Sequence, residues 1–329
     1  MASAASDTPS RPFGLVIHGG AGNYAPPKVT PEKERAYRTK LQEALDAGYA
    51  VLDRGGPALD AVVATIRILE DSPLFNAGHG AVLNADGICE LDSSIMDGSN
   101  LRAGAVAGLQ HIRNPIALAR AVMEKSPHVM LIGAGAERFA QENGFALVPN
   151  DYFQTEERRE DLRELQEKLK NPAKAPRVSA EPANAFGSEH QYGTVGCVAL
   201  DRQGNLAAGT STGGLANKRF GRVGDAPIIG AGTYADNATC GVSCTGTGEY
   251  FIRAVAAHDV SARIAYQGKS LGEAAAATLA KIGQLGGDGG LIALDREGHV
   301  AMPFNTAGMS RGFRLSTGES RVAVFPDPK

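Results

Sequence analysis

Clusters of glycine constrain the possible folds of this chain more than any other feature. Glycine supplies 41 of the 329 residues, roughly 12% against a usual value of about 7%. The glycines follow no collagen-like period. They fall in short groups such as HGGAG at 18–22 and GTVG at 193–196. Because glycine permits tight turns and close backbone contacts, these groups predict loops in which the backbone lies against another group.

The composition predicts a globular protein. Hydrophobic residues make up 43% and charged residues 21%, which is enough for a full core. The net charge of −3 argues against nucleic acid or an anionic membrane as a partner. No apolar run reaches the roughly 18–20 residues of a membrane helix, and no secretory signal is recognisable. We therefore expect a soluble cytoplasmic protein.

Cysteine and histidine spacing gives no sign of a metal or disulfide framework. The four cysteines form no CxxC pair, and the seven histidines form neither HExxH nor HxH. Zinc sites and disulfide scaffolds usually show such spacings. The sequence therefore predicts neither.

The order of predicted elements suggests one layered domain over residues 1–329. A strand at 13–17 is followed by two helices, a hairpin at 84–96 and two more helices. A charged helix at 155–170 and an aperiodic stretch at 171–192 come next, and stretches of this kind are usually linkers. Strands at 194–201, 206–212, 291–295 and 300–305 then flank helices at 248–266 and 270–283. Two sheets packed face to face, with helices outside, would use both halves of the chain.

Thr194 is the candidate nucleophile. It stands between the aperiodic stretch and a predicted strand, where an ordinary strand start is the simpler interpretation. If the chain were cut after Gly193, the α-amine of Thr194 would titrate near pKa ~7.7–8.0 and could serve as a base. An N-terminal threonine of this kind is an activated nucleophile that needs no histidine.

Two further segments could complete such a site. The run Thr210–Gly214 ends the return strand of the same hairpin, although its glycines also fit a plain turn. Arg222 and Asp225 match the carboxylate and ammonium of an α-amino acid, although a surface ion pair fits the spacing equally well.

The segment CTGTGE at 244–249 leads into a helix. It could supply backbone donors to an oxyanion or a phosphate, or it could be an ordinary helix cap. It completes neither GxGxxG nor GxxxxGK[ST], so the nucleotide interpretation is weak.

Together these motifs resemble the plant-type asparaginase/isoaspartyl peptidase family of N-terminal nucleophile hydrolases. The resemblance spans nearly the whole chain. Its motifs are HGGAG at 18–22, LFNAGHG at 74–80, MDG at 96–98, AGAVAG at 103–108, RNP at 113–115, SPHVM at 126–130, GTVG at 193–196, STGG at 211–214, GRVGD at 221–225 and CTGTGE at 244–249.

The resemblance implies an α+β fold, a four-layer αββα sandwich of the N-terminal nucleophile hydrolase type. It also implies self-cleavage between Gly193 and Thr194, giving an α chain 1–193 with a mobile linker at about 155–193 and a β chain 194–329. The activity implied is hydrolysis of β-aspartyl dipeptides and of the side-chain amide of L-asparagine, releasing L-aspartate.

The resemblance also assigns roles to residues of this chain. Thr194 would be the nucleophile, with Thr212 orienting it and Asn76 supporting its hydrogen bonds. Thr245 and the N–H of Gly246 would form the oxyanion hole. Arg222 would bind the substrate carboxylate, and Asp225 its ammonium together with the Gly248 carbonyl.

No cofactor is implied for catalysis, but a structural sodium ion is. The ion would be held mainly by backbone carbonyls of Leu69, Glu70, Ser72, Phe75, Ala77 and His79. Ser72 and His79 are not the residues most expected there, yet carbonyl ligation depends little on side chains. Two αβ units would pair as a dimer, a heterotetramer of chains.

Two alternatives remain open at the level of sequence. An aspartylglucosaminidase-like hydrolase would share the N-terminal threonine, although the lack of a recognisable signal and of a disulfide pattern argues against it. A non-catalytic nucleotide- or phosphate-binding protein would explain the glycine loops and would remain a single chain.

Overall fold

The fold is a mixed α/β arrangement of two sheets with helices. The structure, a computed structural model, describes residues 11–22, 24, 29–170 and 193–326. The described strands are β1 (Gly14–Gly22), β2 (Leu91–Asp97), β3 (Ala103–Leu109), β4 (Met130–Ile132), β5 (Val195–Leu200), β6 (Leu206–Thr212), β7 (Thr233–Ala235), β8 (Cys240–Gly246), β9 (Gly289–Asp295), β10 (Val300–Ala301), β11 (Gly308–Leu315) and β12 (Ser320–Ala323).

The described helices are α1 (Pro31–Asp53), α2 (Ala58–Glu70), α3 (Pro115–Lys125), α4 (Gly133–Glu142), α5 (Glu156–Lys170), α6 (Gly248–Ala254), α7 (Ala256–Gln267) and α8 (Leu271–Gln284). The start of α1 follows from its sequence. The Thr30 side chain accepts from Lys33 N, and Pro31 occupies the first turn, where its missing N–H costs nothing.

The eight-stranded sheet brings the two glycine motifs together. Its order is β12-β11-β1-β5-β6-β2-β3-β4, and the smaller sheet has the order β10-β9-β8-β7. Strands β1 and β5 are antiparallel neighbours, and His18 lies opposite Gly196. The segment HGGAG is therefore not a loop after the strand, as its glycines suggest, but the irregular second half of β1.

Three hydrophobic clusters hold the elements together. Alternate β1 residues point to opposite faces, so Leu15 and Ile17 join the cluster that includes buried residues of α1 and α2, such as Leu41 and Val62. Val16 instead joins a cluster with residues of β5, β6 and β9. A third cluster joins β8 and β9 to α6, α7 and α8. Burying each such side chain contributes about 1.5–3 kcal/mol.

The predicted helix at 248–266 is broken in the structure. Val255 takes a left-handed conformation, φ 50°, which ends α6 and begins α7. The N–H groups of Ala257 and His258 bond to the carbonyls of Ala231 and Gly230 instead of the preceding turn. Tertiary hydrogen bonds thus replace helical ones at the break. The spacing of apolar residues in the sequence does not reveal this replacement.

Part of the predicted linker is a packed helix. Residues 156–170 form α5, whose Leu162 and Leu165 are buried and whose Arg158 donates to the Gly80 carbonyl at 2.9 Å. This part of the predicted mobile linker is therefore ordered, and residues 171–192 lie outside the described residues. Among the described helices, none combines the length and apolarity that crossing a bilayer requires.

Candidate active site

The β5–β6 hairpin places two threonine hydroxyls side by side. Val195 pairs with Ser211, and this register sets Thr194 opposite Thr212. Their Oγ atoms lie 2.9 Å apart, and Thr212 Oγ also accepts from the N–H of Gly214 at 3.0 Å. The neighbour predicted for Thr194 is therefore in hydrogen-bonding contact with it.

Asn76 joins Gly193 to the loop after β6. Its N–H donates to the Gly193 carbonyl at 3.0 Å, and its carbonyl accepts from Gly213 N. Its side-chain Nδ2 donates to the Gly214 carbonyl at 2.7 Å, while Oδ1 accepts from Val82 N at 2.9 Å. Every polar group of this residue is used to hold the segments around the Gly193–Thr194 bond.

His18 holds the carbonyl of Thr194, a contact that the sequence analysis missed. His18 is fully buried, and its Nδ1 lies 3.0 Å from the Thr194 carbonyl oxygen. Because a carbonyl only accepts, Nδ1 carries the proton, and Nε2 accepts from Ser243 Oγ at 3.0 Å. Burial lowers the pKa of His18 to about 3, although the bond to Thr194 opposes the shift. The imidazole is therefore a neutral donor.

A chain of buried hydroxyls continues from His18. With Ser243 donating to the imidazole, the following hydroxyls lie within hydrogen-bonding distance of one another. The links run from Thr210 to Ser243 at 2.7 Å, from Thr233 to Thr210 at 2.6 Å and from Ser94 to Thr233 at 2.8 Å. Ser94 also lies 2.6 Å from the Ala226 carbonyl, next to Asp225. Such a connected network of buried hydroxyls favours one arrangement of the residues it joins.

The contact between His18 and Ser243 explains why the GTVG motif ends in a glycine, Gly196. A Cβ there would overlap both Ser243 Oγ and His18 Nε2. Only glycine therefore lets the strand pass so close to the histidine–serine contact.

Arg222 and Glu249 form a planar, two-bonded ion pair. Arg222 Nε and Nη2 donate to the two carboxylate oxygens of Glu249 at 2.9 and 2.8 Å. Glu249 thus covers one edge of the guanidinium. Nη1 lies near Gly214 and Gly224, and Arg222 lines the same cleft as Thr194 and Thr212.

Asp225 is a buried carboxylate without a full set of partners. It is 6% exposed, and its Oδ2 has no hydrogen-bond partner among the described residues. Burial raises the pKa of Asp225 to about 6, with Arg222 opposing the shift. A cationic ligand at Oδ2 would satisfy this atom.

One small cleft is lined by five of the eight residues predicted for catalysis and substrate binding. Its lining is Thr194, Thr212, Gly214, Leu215, Arg222, Gly224, Asp225 and Gly246. Gly248 borders the two charged side chains, since a Cβ there would lie 2.8 Å from Asp225 Oδ1 and 3.0 Å from Arg222 Nη2.

Thr245 and Gly246 lie at the end of β8. Thr245 is fully buried, and its hydroxyl accepts from Ala21 N at 3.2 Å. Gly246 has φ +147° and sits against Asp288 and Gly289, so a side chain there would clash with backbone. Gly246 lines the cleft, and the Thr245 side chain contacts the second half of β1.

Two backbone carbonyls in the loop predicted to hold sodium, those of Pro73 and Phe75, lie close to Gly80. The predicted residues are Leu69, Glu70, Ser72, Phe75, Ala77 and His79. A Cβ on Gly80 would lie 2.6 Å from the Pro73 carbonyl oxygen and 2.9 Å from that of Phe75. Backbone carbonyls are ligands that hard cations accept. Of the two near Gly80, Phe75 belongs to the predicted set and Pro73 does not, and the Glu70 carbonyl accepts from His79 N at 2.7 Å.

Comparisons with known proteins find relatives over nearly the whole chain. The family model described as asparaginase matches residues 11–324. The chain is 50% identical to the isoaspartyl peptidase of Escherichia coli, covering 94% of this chain and 95% of that protein. It is 49% identical to the isoaspartyl peptidase of Salmonella typhimurium, covering 94% and 98%. A probable isoaspartyl peptidase/L-asparaginase 2 of Arabidopsis thaliana is 42% identical, covering 95% and 99%.

Proposed function

The chain belongs to the asparaginase family, and on that premise we propose that it is a self-processing threonine hydrolase. It hydrolyses β-aspartyl dipeptides and the side-chain amide of L-asparagine, releasing L-aspartate. The family match over residues 11–324 and the relatives named isoaspartyl peptidase support this assignment.

Maturation begins at the Gly193–Thr194 bond. Thr194 Oγ attacks the Gly193 carbonyl carbon, the C–N bond breaks, and an ester forms while the amine of Thr194 is released. Water then hydrolyses the ester, leaving the α chain 1–193 and the β chain 194–329. The Asn76 N–H, 3.0 Å from the Gly193 oxygen, is placed to stabilise the negative charge on that oxygen.

Hydrolysis uses the same hydroxyl. Thr194 Oγ attacks the side-chain carbonyl of the substrate, and the new α-amine of Thr194 takes the proton. That proton passes to the leaving nitrogen, and the resulting β-aspartyl ester is hydrolysed by water. Thr212 orients the nucleophile, while Thr245 and the Gly246 N–H stabilise the oxyanion, each donor being worth about 3–4 kcal/mol in comparable sites.

Substrate recognition depends on the two charged side chains of the cleft. The free edge of Arg222 binds the α-carboxylate. Asp225 binds the α-ammonium with its unpartnered Oδ2, assisted by the Gly248 carbonyl. His18 and the hydroxyl chain hold the Thr194 carbonyl, which keeps the nucleophile in place after the bond to Gly193 is cut.

The wider architecture is also part of the proposal. The three hydrophobic clusters support a four-layer αββα sandwich. Edge strand β4 carries Met130 and Ile132 with 39% and 65% of their surface exposed, which suits a contact between two αβ units. Sodium would be held by the loop at 69–79 as a structural ion. The four free cysteines fit a reducing, cytoplasmic compartment.

The alternative functions are not favoured. Two carboxylates, Asp225 and Glu249, lie beside Arg222, the single arginine among the described residues that line the cleft, and would repel a phosphate. None of the three relatives reported above is named an aspartylglucosaminidase.

The proposal rests mainly on one observation. Thr194 contacts Thr212 in a cleft that is also lined by Arg222 and Asp225. The test incubates the matured protein with L-asparagine and with β-aspartyl-glycine, and measures L-aspartate. Release from both, absent in Thr194→Ala, is the expected result. Turnover in the Thr194→Ala protein would refute the assignment.

A further inference from the structure

Self-cleavage needs a group that accepts the proton of Thr194 Oγ. In the matured protein the α-amine of Thr194 serves as the base, but in the uncut chain this nitrogen belongs to the peptide bond with Gly193 and is not basic. His18 is not available, because its Nδ1 donates to the Thr194 carbonyl and its Nε2 accepts from Ser243. The first cut therefore requires a different acceptor.

Asp92 continues the row of side chains that begins with the two threonines. Strand β6 lies between β5 and β2, and its Thr212 lies opposite Thr194 on one side and opposite Asp92 on the other. Residues paired in this way project from the same face of a sheet, with Cβ atoms about 4.5–5.5 Å apart. The carboxyl group of Asp92 therefore lies beside Thr212, on the side away from the nucleophile.

Hydrogen-bond counting links Thr212 to Asp92. The Thr212 hydroxyl accepts from Gly214 N at 3.0 Å, and it also accepts from Thr194 Oγ, 2.9 Å away, when the nucleophile gives up its proton. Its own single proton then needs an acceptor. Asp92 is fully buried, its Oδ1 accepts from Gly108 N at 2.9 Å, and its Oδ2 has no hydrogen-bond partner among the described residues. The row thus contains one proton to be accepted and one acceptor that lacks a donor.

The charges around Asp92 suit a base. Burial raises the pKa of Asp92, Lys218 and Arg222 oppose the shift, and Glu90 adds to it. The Lys218 side chain is only 2% exposed, and its Nζ donates to the Glu90 carbonyl at 2.9 Å and lies 3.8 Å from Glu90 Oε2. A raised pKa makes a carboxylate a stronger base, while a nearby cation favours its ionised form.

We propose that Asp92 is the proton acceptor of self-cleavage, reached from Thr194 through the Thr212 hydroxyl and one bridging water molecule. The inference rests on the proposed function. As Thr194 Oγ bonds to the Gly193 carbonyl carbon, its proton moves to Thr212, the Thr212 proton moves to the water, and a water proton moves to Asp92 Oδ2. When the C–N bond breaks, the proton returns along the row to the departing nitrogen of Thr194. Asp92 is then ionised again, and the new amine becomes the base for hydrolysis.

A time course of self-cleavage tests this role. Full-length chains are made by cell-free translation, which defines time zero, and intact mass follows the cut after Gly193. Asp92→Asn keeps the size of the side chain and should be cut at least about 100-fold more slowly, a usual contribution of a general base. The matched control is Asp201→Asn, at a carboxylate 1% exposed beyond the far end of β5, and it should be cut at close to the wild-type rate. Wild-type cleavage of Asp92→Asn, or equal slowing in the control, would overturn the proposal.

The pH dependence of cleavage separates proton transfer from a structural role. The wild-type rate should rise with pH as Asp92 ionises and then level off, and Asp92→Asn should lack this rise. Lys218→Met removes a cation that opposes the raised pKa of Asp92, so the rise should move to higher pH. A wild-type profile in Asp92→Asn, or an unmoved rise in Lys218→Met, would refute the proton transfer.

Turnover of L-asparagine by the fraction that is cut gives a third readout. Because the α-amine of Thr194 replaces Asp92 as the base, kcat of Asp92→Asn should fall far less than its cleavage rate. Equal losses of both would show a structural role alone and overturn the proposal.

A rival acceptor and the proposed function itself have distinct outcomes. Asp225 Oδ2 also lacks a partner among the residues that the structure describes. Loss of the pH-dependent rise in Asp225→Asn, with the rise kept in Asp92→Asn, would assign the proton to Asp225 and overturn the role of Asp92. A wild-type chain that is never cut after Gly193 would overturn the proposed function and this inference with it.

Discussion

Replacing Arg222 with alanine tests the substrate anchor. Glu249 occupies the Nε–Nη2 edge of the guanidinium, so the substrate carboxylate meets the remaining edge. Each hydrogen bond to a charged group contributes about 1.5–3 kcal/mol. A loss of about 3 kcal/mol, with water replacing part of the contact, corresponds to a KM roughly 100-fold higher at 1.4 kcal/mol per tenfold change. We expect kcat to change much less, because the arginine contacts neither reacting atom.

Two measurements complete this test. Steady-state kinetics with L-asparagine give KM and kcat, and gel electrophoresis follows self-cleavage, which should be intact. Arg222→Lys keeps the charge without the planar fork, so its KM should lie between those of the wild type and Arg222→Ala. A normal KM in Arg222→Ala would refute the reasoning.

Three further predictions concern the surroundings of the nucleophile. The inhibition constant of L-aspartate should rise about tenfold per pH unit below pH 6, because the pKa of Asp225 is about 6 and only its ionised form binds an ammonium; a flat profile from pH 5 to 8 contradicts this. Ser243→Ala should lower the free energy of unfolding by about 1–3 kcal/mol and also lower kcat, because it leaves His18 Nε2 unpaired. The control is Ser261→Ala, which removes another buried hydroxyl contact, that between Ser261 and Thr239, and should lower the stability without lowering kcat. Equal losses of kcat in the two variants would refute the role of Ser243 in positioning the nucleophile. Gly193→Ala should slow self-cleavage at least tenfold, because its Cβ would overlap Asn76, whose N–H holds the carbonyl to be attacked. The kcat of the cleaved enzyme should stay normal, as a time course of cleavage and activity would show.

Local features of the site could be predicted from the sequence. Thr194 and Thr212 are brought together by one hairpin, whose strands and turn are contiguous in the chain. Arg222 and Asp225 are three residues apart in one loop, and both line the cleft. Glu249 belongs to the CTGTGE motif noted in the sequence, but its ion pair with Arg222 joins two separate segments and could not be predicted.

Features assembled from distant strands could not be predicted. The hydroxyl chain joins His18, Ser94, Thr210, Thr233 and Ser243, which come from five different strands. Strands β8 and β11 were missed because glycine and polar residues interrupt their alternation. The side chains of the hydroxyl chain are polar yet buried, and only the pairing of strands shows that their partners exist.

Intact-mass spectrometry of the purified protein, incubated at neutral pH, tests the central claim most directly. The account predicts two chains, of which the smaller begins at Thr194, and a Thr194→Ala variant that remains one inactive chain of 34.2 kDa. A cut made at another bond, a Thr194→Ala protein that is still cleaved there, or an uncut wild-type chain that turns over L-asparagine would contradict it.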